Sequence, residues 1–231
     1  MTLFYPDVSN LQWSCNSDAA NFLSQLVAEG FSGVCHKVSE SDYFQDEYFP
    51  FVKSWCAANN LPLLGYHYVG EADPDDQAAT YLGNGGLPVV MLDWEANGGD
   101  VDNLYAVAEA FNRAGVWCAF LYGPNWYWNE VGGGDLSGFP NLISSNYVYD
   151  VQDYAWTIYQ NSGADKGPGW APYGGDTPRC WQFTDRAIIA GLSVDANAFK
   201  GTAAELASLF ATGALPNLNL RKPLKGHHHD Q

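Results

Sequence analysis

Positive charge is what this sequence has least of. Ten Lys and Arg stand against 26 Asp and Glu, a net charge of −16. The few cations are scattered singly until Arg221-Lys222 and Lys225, so no basic patch suits a nucleic acid or an anionic lipid surface. Long apolar runs are lacking too, and none approaches the ~18 residues of a membrane-spanning helix. The opening Met1-Thr2-Leu3-Phe4-Tyr5-Pro6-Asp7 has neither a charged n-region nor an apolar h-region, so no secretory signal is expected. The five cysteines (Cys15, Cys35, Cys56, Cys118 and Cys180) are odd in number and show no C-x-x-C spacing. Four of the five fall inside apolar runs and read as buried, reduced thiols. Cys35 and His36 are adjacent, and on a strand adjacent side chains point to opposite faces, which excludes them as a nucleophile–base pair. The remaining histidines are His67 and the terminal His227, His228 and His229, which read as an incidental triplet. No zinc ligand set is evident, and neither a metal nor another cofactor is expected.

Aromatic residues are plentiful at 15%, with nine Trp and 14 Tyr, and hydrophobic residues reach 47%. A large core accounts for most of them. Aromatics joined to many acids and few cations also suit carbohydrate: sugar rings lie with their C–H faces on aromatic rings while their hydroxyls bind carboxylates. Composition alone leaves those two readings level. A length of 231 residues fits one β/α barrel, which typically takes about 250.

Short β-rich runs alternate with amphipathic stretches, the pattern of parallel strands in an α/β fold. Strands are expected at 3–8, 33–38, Leu63–Tyr68, Val89–Asp93 and Trp117–Tyr122, with helices at 17–29, 48–59, 73–81 and 101–114. The acids Asp73, Asp75 and Asp76 complement the dipole of the third helix, so a structural role suffices for them. The rhythm then breaks. Residues 124–175 are rich in Gly, Asn, Trp and Tyr, with a strand candidate only near 154–159. Strands follow at 180–184 and 194–199, and a closing helix at 202–210. Five β/α units and about three further strands make eight, enough to close a barrel. The expected fold is a TIM-like (β/α)5β3 barrel as a single domain over residues 1–210, with 211–231 as a linker or tail. A monomer is expected.

In a β/α barrel, chemistry gathers where the strands end. The polar residues at those positions are Asp7, Lys37 with Glu40, Tyr66-His67-Tyr68, Asp93-Trp94-Glu95, Tyr122, Gln182 and Asp195. Asp93 and Glu95 stand at i and i+2, on one face, with Trp94 turned away and α-carbons roughly 6–7 Å apart. Two carboxyls so close do not ionise together readily, so one stays protonated and can act as an acid. The competing reading is a pair of strand-end acids that caps loops or binds a cation. His67, flanked by two tyrosines, is expected to face outward toward a helix in a structural role.

Six segments, taken in order, resemble glycoside hydrolase family 25, the N-acetylmuramidase lysozymes found among phage endolysins and bacterial autolysins. They are Tyr5-Pro6-Asp7-Val8-Ser9-Asn10-Leu11-Gln12, His36-Lys37-Val38-Ser39-Glu40-Ser41, Leu64-Gly65-Tyr66-His67-Tyr68, Leu92-Asp93-Trp94-Glu95, Cys180-Trp181-Gln182-Phe183-Thr184 and Val194-Asp195-Ala196-Asn197-Ala198-Phe199. The resemblance spans residues 3–200 and implies a (β/α)5β3 barrel. It implies cleavage of the β-1,4 bond between N-acetylmuramic acid and N-acetylglucosamine in the peptidoglycan glycan strand. Glu95 would be the general acid and Asp93 its partner carboxylate, which in one proposal for the family steadies the substrate's own acetamido group as it attacks. Asp7 and Asp195 would be supporting acids. Lys37, Glu40, Tyr66, Tyr122 and Gln182 are the candidates for binding the sugar. The implied setting is a phage endolysin, made without a secretory signal and acting on the bacterial wall after release.

The sixth strand departs from the family pattern: Tyr154-Ala155-Trp156-Thr157-Ile158-Tyr159 is shorter and reordered. The Gly132-Gly133-Gly134 run with Trp126, Tyr127 and Trp128 reads equally as a mobile substrate rim or a packed flap. Three rival functions remain: a sugar-binding barrel that has lost catalysis, a wall amidase or peptidase, and another barrel glycosidase such as a chitinase. The four matching acids argue against the first, the missing zinc or Cys/His set against the second, and the short acidic signature against the third.

Overall fold

The computed structural model describes residues 1–216. Its strands are β1 (Thr2–Val8), β2 (Val34–Glu40), β3 (Phe44–Gln45), β4 (Leu63–Tyr68), β5 (Val89–Asp93), β6 (Trp117–Tyr122), β7 (Asn141–Ser145), β8 (Asp153–Tyr154), β9 (Cys180–Ile189) and β10 (Leu192–Lys200). The helices are α1 (Asn16–Ala28), α2 (Phe49–Asn59), α3 (Pro74–Gly83), α4 (Val101–Arg113), α5 (Asn125–Glu130), α6 (Ala155–Asn161) and α7 (Ala203–Thr212). Eight strands close a barrel in the order β1-β10-β9-β7-β6-β5-β4-β2, and β2 returns to β1. All neighbouring pairs are parallel except the two that β10 makes, with β1 and β9. The (β/α)5β3 barrel expected from the sequence is present.

Local chemistry sets the helix limits. Asp73 caps α3 by accepting from the Asp75 and Asp76 N–H groups, and Asp100 caps α4 by accepting from Asn103 N–H at 3.0 Å. Thr202 and Glu205 form a capping box on α7, which stops at Gly213 in a left-handed conformation. That helix runs to Thr212, so Ala211 and Thr212 belong to it; the triplet His227, His228 and His229 lies outside the described residues.

Two strand assignments change. The sixth barrel strand is β7, whereas 155–161 is helical: Ala155, Ile158 and Tyr159 are buried at helical spacing while Trp156 is 60% exposed. The β7 sequence, Asn141-Leu142-Ile143-Ser144-Ser145, has little intrinsic strand character. It is held by tertiary partners, with Asn141 donating to the Ala119 and Gly213 carbonyls and Ser144 to Gly169. The last two strands are longer than expected and form a hairpin across Ala190 and Gly191, both at positive φ as a two-residue turn requires. The hairpin tip reaches α1, where Ala190 N–H donates to Glu29 Oε2 at 3.0 Å.

Alternation sorts each strand between two cores. On β5, Val89 and Met91 face the barrel interior while Val90 and Leu92 face the helices. The interior is filled below the mouth by Tyr5, Phe120, Phe199 and other side chains, and α7 seals it with Leu206, Leu209 and Phe210. Phe210 meets Tyr5 edge-on at 5.1 Å and Phe120 at 6.1 Å. Phe210→Ala opens a hole in this seal, and chemical denaturation is expected to show a loss of about 3–5 kcal/mol in unfolding free energy.

Candidate active site

The mouth of the barrel holds a cleft of about 230 Å³. Inward-facing positions one layer above the packed interior supply it: Asp7 from β1, Lys37 from β2, Tyr66 and Tyr68 from β4, Asp93 from β5 and Tyr122 from β6. Gln182 of β9 joins them with Asp195 and Asn197 of β10. Glu95 lies two residues past the end of β5, and Tyr5, Cys35 and Met91 form the floor. Asp195 stands near the start of its strand, and Gln182 near the start of β9. Because β10 runs antiparallel, its early residues lie at the mouth, and the register sets Asp195 directly opposite Asp7.

Gln182 ties this side together. Its amide donates to Asp7 Oδ2 at 3.0 Å and to Asp195 Oδ2 at 3.3 Å, while its carbonyl oxygen accepts from the Tyr122 and Tyr147 hydroxyls at 2.8 and 2.5 Å. Asn197 donates to Asp7 Oδ2 at 2.6 Å. Burial raises the Asp7 carboxyl, against the hydrogen bonds from Gln182, Asn197 and Asp195. Asp195 is pushed up to about 9, by burial first and then by the charge of Asp7. The two therefore share a proton, carried by Asp195 and donated to Asp7.

Asp93 is 8% exposed, and its Oδ1 has no hydrogen-bond partner. Burial first, then the charges of Glu95 and Asp7, raises its carboxyl well above the usual range, with Lys37 opposing. Glu95 is half-buried and also raised, by burial and then by Asp7. Trp94 turns away as expected, fully buried, donating to Gly99 O at 3.1 Å and edge-on to Tyr127 at 5.1 Å. The turn after Glu95 is anchored on several sides. Tyr68 OH donates to Ala96 O at 2.7 Å, Tyr127 OH to Gly99 O at 2.8 Å, and Asn103 to Gly98 O at 2.8 Å. At Gly98 a Cβ would come within 2.8 Å of the Glu95 carbonyl oxygen, so the turn closes only with glycine there.

Lys37 carries the positive charge among the cleft-lining residues. It pairs with Glu40 and lies 5.1 Å from the Tyr68 ring centre and 5.3 Å from that of Phe44. Glu40 itself is outside the cleft lining: burial would raise it, but hydrogen bonds from Lys37 and Tyr43 hold it below the usual value. His67 faces outward. Gln77 donates to the Gly70 and Ala72 carbonyls, so its oxygen accepts from His67 Nε2 at 3.1 Å, and Nδ1 accepts from Ser39 at 2.8 Å. Burial pushes His67 down to about 4. Cys35 faces the barrel interior and His36 the helices, as alternation requires. Four cysteines are buried and Cys15 is exposed, all free.

Tyr68, named from the sequence at the end of its strand, lines the cleft, and Ser9, Leu11, Tyr147 and Asn197 join it without having been put forward as site residues. Asn197 was signalled by its i+2 spacing from Asp195. Tyr147 had no local signal, since it follows β7 in the segment without periodicity.

No protein-family model matches the sequence, and no curated protein matches it. Solved structures do. A family GH25 lysozyme from Aspergillus fumigatus is 23% identical, with a TM-score of 0.65 over 91% of this chain and 100% of that one. The fold is that of the family 25 lysozymes. A bacterial lysozyme from Streptomyces coelicolor shares it at 20% identity and a TM-score of 0.69, over 92% and 98% of the two chains. So does the catalytic domain of an endolysin from bacteriophage P40 of Listeria monocytogenes, at 16% identity and a TM-score of 0.65, over 90% and 98%. At such identities the likeness is one of fold, and this lysozyme fold holds its carboxyls at the barrel mouth.

Their raised pKa values link stability to pH. Folded Asp195 keeps its proton up to about 9, whereas the unfolded chain releases it near 3.8, so the folded state binds more protons between those values. The contribution is full below 3.8 and is lost as pH rises through about 9. Melting temperature should therefore fall as pH is raised from 5 to 9, and Asp195→Asn should flatten that slope. An unchanged slope in a melting series would count against the shared proton.

Proposed function

We propose that the chain is a muramidase that hydrolyses the β-1,4 bond between N-acetylmuramic acid and N-acetylglucosamine in peptidoglycan, with Glu95 as general acid. The observation that carries this reading is the meeting of Asp7, Asp93, Glu95 and Asp195 in one cleft at the mouth of a lysozyme-type barrel. The charge distribution supports the roles. Glu95 is the less buried of the Asp93–Glu95 pair and sits on a braced turn, where a raised carboxyl can hold a proton for the departing glycosidic oxygen. Asp93 is deeper, with Oδ1 open to a donor from the substrate. A sugar acetamido N–H donating there would supply the missing hydrogen bond and favour the ionised form. The new negative charge would in turn hold the proton on Glu95.

In the reaction so assembled, Glu95 gives its proton to the glycosidic oxygen as the bond from that oxygen to the anomeric carbon breaks. The acetamido carbonyl oxygen of the same sugar attacks that carbon, with Asp93 steadying its N–H. Water then opens the cyclic intermediate, and Glu95 recovers a proton from it. Lys37, Tyr66, Tyr122 and Gln182 would orient the ring, while Glu40 would act by holding Lys37 in place. The enzyme would work as a monomer on the glycan strand, and a phage endolysin is the setting we favour because of the likeness to an endolysin catalytic domain.

Purified peptidoglycan incubated with the protein should gain reducing ends, and Glu95→Gln should lower that rate by about 10²–10⁴. Rate should also fall as pH rises through the raised Glu95 value, since only the protonated form can donate. New free amines instead would mean an amide hydrolase. Wall binding with no product of either kind would mean a sugar-binding barrel without catalysis.

A further inference from the structure

Strand β2 carries one residue more than β4 between two paired positions. Lys37 pairs with Tyr66 and Ser39 with the next residue, His67, so Val38 is extra. The consequence is a change of face. On a regular strand residues three apart point to opposite sides, yet Glu40 comes back to the side of Lys37 and the two pair. Val38 and Ser39 both turn toward the helices instead: Val38 joins the core there, and Ser39 donates to His67 Nδ1. The bulge therefore decides where Lys37, the cation of the cleft lining, meets its acidic neighbours. Those are Glu40 on its own strand and Asp93 and Glu95 from β5 and the turn after it, while His67 of β4 is neutral, pushed down to about 4.

Three donors outside the cleft hold the bulge. Val38 O accepts from Asp46 N–H at 3.0 Å and from Asn84 Nδ2 at 2.7 Å, and Lys37 O accepts from His36 Nδ1 at 2.7 Å. A carbonyl has no proton to give, so Nδ1 carries the hydrogen and Nε2 the lone pair. Nε2 is buried and unpartnered, and burial lowers the imidazole pKa against the charge of Asp46, the ionisable group that faces it. The Asp46 oxygens are occupied by the Asn10 and Tyr48 N–H groups at 2.7 and 2.9 Å. The His36 ring lies 5.6 Å from that of Trp13 with planes 18° apart, and Phe49 packs on it at 6.0 Å, which keeps the imidazole on the carbonyl. An apolar residue would fill this space without leaving a nitrogen unserved. What imidazole adds is the N–H that reaches the peptide after Lys37.

We propose that His36 is a positioning residue for the cleft: by donating to the Lys37 carbonyl it fixes the bulge, and so keeps the Lys37 ammonium, paired with Glu40, in the field of Asp93 and Glu95. The catalytic meaning of this rests on the muramidase reading above. Lys37 opposes the rise of both the Asp93 and the Glu95 carboxyl. A relaxed bulge lets the ammonium on its flexible stem drift toward solvent, and both carboxyls then hold their protons to higher pH. Glu95 would remain an acid over a wider range, but Asp93 would ionise less readily and steady the acetamido group less well. His36 thus acts on the chemistry through Lys37, without touching the substrate.

Carbon NMR of the full chain labelled at its Asp and Glu carboxyls follows the Asp93–Glu95 pair directly and needs no substrate; Asp93→Asn and Glu95→Gln assign the signals. His36→Phe keeps a ring against Trp13 and removes the donor, and both titration steps of the pair should move up by about one pH unit, the low end of what an adjacent opposite charge does. His36→Asn gives up the ring but offers an amide N–H near the place of Nδ1, and should bring the titrations back to the parent's. In a Lys37→Met chain, where the ammonium is already gone, His36→Phe should add no further movement. Should His36→Phe fail to fold, Asn84→Ala takes the other side-chain donor from the bulge and should move the pair in the same direction. Titrations unmoved by the loss of a donor, moved equally by His36→Asn, or still moved in the Lys37→Met chain would overturn the proposal; equal movement would mean that the ring only fills space. The pH at which reducing-end release declines should follow Glu95 upward in His36→Phe. No release from the unmodified chain would sink the muramidase reading, while the carboxyl titrations still decide what His36 does.

Discussion

The antiparallel closure of the barrel, β10 against β1, is the constraint on which the site depends. It sets Asp195 opposite Asp7 and brings Asn197 onto the Asp7 carboxylate. The same strand carries β9 alongside, so that Gln182 reaches both acids with one amide group. A parallel last strand would send its early residues to the sealed end of the barrel, away from the mouth. One reversal of chain direction therefore supplies one of the four carboxyls in the cleft, Asp195, and the Asn197 amide that serves another.

Crowding those carboxyls has electrostatic consequences that run in one direction. Burial raises Asp7, Asp93, Glu95 and Asp195 together, the charges of neighbouring acids add to this for the last three, and Lys37 is the cation that opposes it for Asp93 and Glu95. The site resolves the conflict by geometry. Asp7 gains donors from Gln182 and Asn197, Asp195 keeps a proton for Asp7, and Asp93 is left with one oxygen unserved. Leaving a buried oxygen unserved is costly, and the acetamido donor of the proposed mechanism would relieve that cost.

Rigidity comes from parts that carry no charge. The turn bearing Glu95 is closed by glycine at 98 and held by Tyr68, Tyr127 and Asn103 from three different elements. Below it, aromatic packing of α7 on Tyr5 and Phe120 fills the barrel so that strand ends do not shift.

The sequence by itself determined the first five barrel strands and the four helices between them, because their apolar period, caps and glycine stops act locally over a few residues; α5 lay in the stretch without periodicity. It also determined that Asp93 and Glu95 share a face while Trp94 and His67 point away, since strand alternation needs no partner. Tertiary structure alone decided the last third of the barrel. Asn141–Ser145 is a strand because neighbours on β6 and β9 claim its backbone, and 155–161 is a helix because one apolar face meets the core. The depth of Asp195 in its strand, the arrival of Tyr147 in the cleft and the withdrawal of Glu40 from it follow from register, strand direction and an ion pair. Those depend on contacts between residues far apart in the chain, which no local pattern records.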